Sequence, residues 1–220
     1  MKKIVGLTLG IAYLAAALNA HASTSAELIV RGTIKPAACN LSMTGGGIIN
    51  YGDIPSGQLS ATAFTPLAEK TTPLIVSCGT TAARFGLKFV DLQSGSKVPG
   101  ILNVLGAGYT EAHNYGLGTV SGRKTGGFAI TLKNLRSPTT TLYPIMRVGS
   151  GAWQSGDGKV AQLPSQHSWR SSTANTPASI TQLTGTIAVR PVINKSTELD
   201  LGREITLDGR ATLELSYIEL

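Results

Sequence analysis

The sequence predicts an all-β fold of the sandwich kind. Three observations predict it. Apolar and polar residues alternate with period two along most of the chain. Clusters of Gly, Ser, Asn, Asp and Pro separate these runs, and no segment sustains a helical period. The composition agrees, with 26 glycines and only 14% charged residues.

Taken in order, the first run places Leu28, Val30, Gly32 and Ile34 on one face, with Glu27, Ile29, Arg31 and Thr33 opposite. Pro73 to Cys78 (PLIVSC) is short, apolar and β-branched. Phe85, Leu87 and Phe89 alternate, as do Phe128, Ile130 and Leu132. The longest strand candidates are Ile180–Ile193 (ITQLTGTIAVRPVI) and Arg210–Tyr217 (RATLELSY). In the latter, Ala211, Leu213, Leu215 and Tyr217 face one way, and Thr212, Glu214 and Ser216 the other. Asp208-Gly209, between Ile205–Leu207 and Arg210–Leu215, signals a two-residue hairpin. Gly45-Gly46-Gly47, Ser94-Gly95-Ser96 and Gly156-Asp157-Gly158 read as loops. The stretches 92–113 and 150–178 read as surface insertions. No Pro/Ser-rich linker divides balanced halves, so one domain is expected.

The N-terminus carries the three parts of a secretory signal peptide. Lys2-Lys3 is the basic start, Ile4 to Leu18 the apolar run, and Ala20-His21-Ala22 the small-residue cleavage site. The run falls short of the ~20 residues that span a bilayer, so residues 1–22 are expected to be removed, leaving no stable membrane insertion. Their loss lowers the formal charge from +7 to +5. The remaining basic residues are dispersed, whereas nucleic-acid binding needs a clustered stripe; a nucleic-acid partner is not expected. The two cysteines, Cys39 and Cys78, form an even pair in an exported chain, and a disulfide follows. Their wide spacing lacks the proximity that redox chemistry uses.

No catalytic or metal-binding constellation emerges, and no cofactor is expected. His113 and His167 have no second ligand at metal spacing. Gly118 to Thr125 (GTVSGRKT) has one residue too few between its glycines for a phosphate loop, and no helix follows it; it reads as a β-turn. Asp157 lacks the further carboxylates of a calcium loop. Trp153 and Trp169 fall in the 150–178 stretch, as core aromatics or as part of a ligand surface with Tyr109, His113 and Tyr115.

Several motifs carry a family resemblance. Arg31 to Cys39 (RGTIKPAAC) is similar to the first strand of chaperone–usher fimbrial pilins, and LDGRATLELSYIEL to their last. The segments CNLSMTGGGIINYGDI, YGLG (Tyr115–Gly118) and LDGRA (Leu207–Ala211) resemble a pilin-like branch associated with fimbrial operons. The resemblance implies an incomplete immunoglobulin-like sandwich, lacking one strand and leaving an apolar groove at its edge. It also implies a Cys39–Cys78 bridge. A periplasmic fimbrial chaperone would fill the groove first, then the N-terminal extension of a neighbouring pilin subunit, at an outer-membrane usher. Residues 23–31 would be that extension and 32–220 the sandwich. Leu28, Val30 and Gly32 would enter the groove, unless they form this domain's own first strand. Leu213, Leu215 and Tyr217 would face the chaperone, with the carboxylate of Leu220 docked on its basic residues.

The sequence departs from that pattern near its end. Gly209 is twelfth and Tyr217 fourth from the C-terminus, whereas typical pilins place the glycine about fourteen residues from the end and the tyrosine next to last. The expected role is a structural or minor fimbrial subunit, passing through the periplasm to the cell surface and contributing to adhesion. The alternative is a tip or minor adhesin whose long loops bind a host glycan or protein.

Overall fold

A computed structural model of the chain describes residues 28–32 and 38–219. The chain divides into two units, Met1–Lys35 and Pro36–Leu220. The signal peptide, most of the 23–31 extension, Ile34 and Leu220 lie outside the described residues. In the first unit, residues 28–32 adopt no regular structure. Leu28 and Val30 are 89% and 88% exposed.

The second unit is all-β. Its thirteen strands among the described residues are β1 (Asn40–Met43), β2 (Thr65–Pro66), β3 (Lys70–Ser77), β4 (Phe85–Asp91), β5 (Tyr115–Gly116), β6 (Thr119–Val120), β7 (Arg123–Lys124), β8 (Gly126–Arg136), β9 (Tyr143–Val148), β10 (Gln154–Ser155), β11 (Ser165–Arg170), β12 (Gln182–Ile193) and β13 (Ala211–Tyr217). One sheet has the order β1-β3-β12-β8-β5, with β2 also on β12; the other has the order β10-β9-β11-β4-β13. All pairings are antiparallel.

The period-two pattern explains the layering. Leu74 and Val76 of β3, Ile187 of β12, and Phe128, Ile130 and Leu132 of β8 point inward from the first sheet. Phe85, Leu87 and Phe89 of β4 meet them from the second. The Cys39–Cys78 disulfide joins the start of β1 to the end of β3, where Asn40 pairs with Ser77. The GTVSGRKT turn is confirmed: β6 and β7 close through Ser121 (φ 53°) and Gly122 (φ 76°). Two consecutive positive φ values match the strand twist, and glycine tolerates one at no steric cost.

Three sequence expectations need correction. The 150–178 stretch is not a surface insertion, because β11 lies within the second sheet between β9 and β4. Trp169, on β11, is wholly buried with its ring centroid 4.9 Å from that of Phe85, and is therefore no part of a ligand surface. The 92–113 stretch does lie on the surface, with Ile101 and Leu102 packed on Ala129 and Val192 of the first sheet's outer face. Asp208-Gly209 makes no hairpin, since Ile205–Leu207 is not a strand and β13 pairs with β4 instead.

Candidate functional site

The feature that stands out lies along β13. On one side β13 pairs with β4 over its whole length, from Ala211 opposite Asp91 to Tyr217 opposite Phe85. Its other side carries no strand among the described residues. A seven-residue open edge presents unpaired backbone N–H and C=O groups, a template for another strand.

The side chains show the same asymmetry. On β4, Leu87 and Phe89 are wholly buried, whereas their β13 partners Leu215 and Leu213 are only half-buried. Beside Leu213 runs an apolar groove of about 180 Å³. Its floor is the first sheet's inner face, including Phe128, Ile130 and Val189. Leu213 forms one wall, and Met43 and Ile49 the other. Gly209 has a steric reason to be glycine: a Cβ there would lie 2.7 Å from Phe128 Cε1 and 2.9 Å from Leu117 Cδ2. The groove meets a wider hollow of about 500 Å³ at Ile49, Tyr51 and Leu207, whose lining includes the charged Asp53, Arg203 and Glu204.

Tyr51 fixes the wall opposite Leu213. Its hydroxyl donates to Val189 O at 2.9 Å, and Lys70 Nζ lies 4.9 Å from its ring centroid while donating to Asn50 O. Burial pushes the Tyr51 hydroxyl up to about 12 from 10.0. Burial, then the nearby charge of Asp91, raises Tyr115 as well. A hydroxyl whose folded pKa exceeds its unfolded value contributes its full stability below the unfolded pKa and loses it as pH climbs through the folded one. The urea midpoint is therefore expected to fall between pH 10 and 12, and to fall less in Tyr51→Phe. An identical fall in both proteins would remove Tyr51 from the account.

The remaining sequence candidates fall in different places. Leu213 and Leu215 lie on the inward face of β13, and Tyr217 is half exposed at its end, its hydroxyl accepting the Cys39 N–H at 2.8 Å. Trp153 is half-buried, with the Arg147 guanidinium 4.6 Å from its ring centroid. His167 is buried on β11, 2.9 Å from Ala161 O, and burial lowers its pKa. Tyr115 is core, whereas Tyr109 and His113 meet edge to face on the 92–113 segment, and burial lowers the His113 pKa. Tyr109, Tyr115 and His167 meet the successive residues Lys159, Val160 and Ala161, but Tyr115 and His167 are buried and join no exposed surface. Sequence reasoning missed Met43, Ile49 and Tyr51 as groove walls; the i, i+2 spacing of Ile49 and Tyr51 was the available signal.

The chain is similar to known proteins as follows. A family model described as "Protein of unknown function (DUF1120)" matches residues 28–129, just under half of the chain. Protein GltF of Escherichia coli (strain K12) is 24% identical over 227 residues, covering 89% of this chain and 89% of that protein.

Proposed function

We propose that the protein is a structural or minor subunit of a chaperone–usher fimbria, assembled by strand addition. The observation that carries the reading is the unpaired edge of β13 beside an apolar groove. Edge addition supplies what such an edge lacks: backbone hydrogen bonds along β13, and alternate side chains that seat in the groove. The donor is residues 23–31 of a second copy, extending to Gly32. Leu28 and Val30 are exposed and outside any strand, and they stand two residues apart, the spacing of side chains on one face of a strand. A periplasmic chaperone lends its own strand to the same edge before assembly at the usher. The signal-peptide pattern and the disulfide suit such an exported route.

The loop-surface alternative has lost Trp169 to the core. Deletion of Ser23–Arg31 from the mature chain tests the main reading. The shortened subunit is expected to leave the periplasm poorly and accumulate as a chaperone-bound monomer, because it accepts a strand but offers none. Polymerisation at the normal level would contradict the assignment of the donor.

A further inference from the structure

The groove does not extend along the whole of β13. Its lining takes Ala211 and Leu213 from the strand's first half, with Gly209 before it, and Met43, Gly47, Ile49 and Tyr51 from the end of β1 onward. Leu215 and Tyr217 are absent from the lining, as are Cys39 and Leu41. At that end the Tyr217 hydroxyl accepts the Cys39 N–H at 2.8 Å, joining the second sheet's last strand to the first sheet's edge. β1 and β13 share no ladder, and Met43 and Leu213, further along the two strands, both line the groove. Cys39 is itself tethered to β3 by the disulfide and by the Asn40–Ser77 pairing.

We infer that the chain holds one end of its own groove shut, with the Tyr217 hydroxyl on the Cys39 amide as the latch, and that a strand pairs along all of β13 only when that latch opens. The inference rests on the strand-accepting reading of the groove. A single backbone N–H bond onto the hydroxyl of a half-exposed tyrosine is easily broken. An incoming strand offers several backbone hydrogen bonds along β13 in exchange. The occupant that opens it is the extension of a second copy, carrying Leu28 and Val30.

Tyr217→Phe keeps the ring and removes the hydroxyl. A synthetic peptide with the sequence of residues 24–34 serves as the incoming strand. Loss of one exposed hydrogen bond is expected to tighten peptide binding roughly fivefold and to speed Cys39 amide exchange by a similar factor. In the unmutated protein, peptide binding itself is expected to speed Cys39 exchange, a readout that needs no variant to fold. Equal affinities together with unchanged Cys39 exchange would overturn the latch while leaving strand acceptance intact. Faster Cys39 exchange in the variant, with no peptide bound by either protein, would overturn the strand-accepting reading and this inference with it.

Discussion

Replacing Cys39 or Cys78 by serine is expected to lower the unfolding free energy by about 4 kcal/mol, the chain-entropy value for a loop of this length. The two residues are 39 apart in sequence and lie at the start of β1 and the end of β3. Without the bond, the unfolded chain regains the freedom of that loop. The folded chain meanwhile keeps a four-residue edge strand with no wholly buried side chain. The effect is therefore local as well as global: β1 frays first, and with it the wall that Met43 contributes to the groove. Urea unfolding of the oxidised protein and of each serine variant measures the difference. Coincident midpoints would mean that the disulfide contributes nothing to the fold.

Truncating Trp169 to alanine is expected to cost about 3–5 kcal/mol, the range for removing a large aromatic from a packed core. The indole is wholly buried against Phe85, and its strand β11 bridges β9 to β4. Loss of the ring therefore loosens the strand that supports β4, and through β4 the register of β13. Trp153→Ala is expected to cost far less, because that ring is only half-buried. The two variants together separate core packing from surface recognition. A Trp169→Ala protein with the parent's urea midpoint would contradict the placement of the indole in the core.

Much of this architecture is legible in the sequence where one rule decides the outcome. Strands β3, β4, β8, β12 and β13 alternate visibly because one face packs in the core or lines the groove while the other meets water or a further layer. Strand β11 is hidden for the opposite reason. Its sequence SQHSWR is polar at four successive buried positions, and three of the four side chains find a partner. Ser168 donates to Phe85 O, His167 lies against Ala161 O, and Gln166 bridges Arg147 and Ser216. Ser165 N bonds back to Gln162 O. Local pattern carries no trace of such partners. Asp208-Gly209 misleads in another way. The dipeptide suits a tight hairpin, but here the glycine is set by the close approach of Phe128 and Leu117. The groove was expected from a resemblance at both ends of the chain, while Tyr51 and Met43 in its wall depend on how the segment after β1 crosses the sheet edge.

The central claim is that β13 is an acceptor edge, and amide exchange on that strand tests it most directly. The mature protein is co-expressed with a fimbrial chaperone, purified from periplasm, and its exchange compared with that of the free chain. A soluble one-to-one complex is predicted, in which the amides of Ala211–Tyr217 that point away from β4 become protected. A stable free monomer that ignores the chaperone, with β13 exchange unchanged, would mean that the sandwich is complete by itself and would contradict the account.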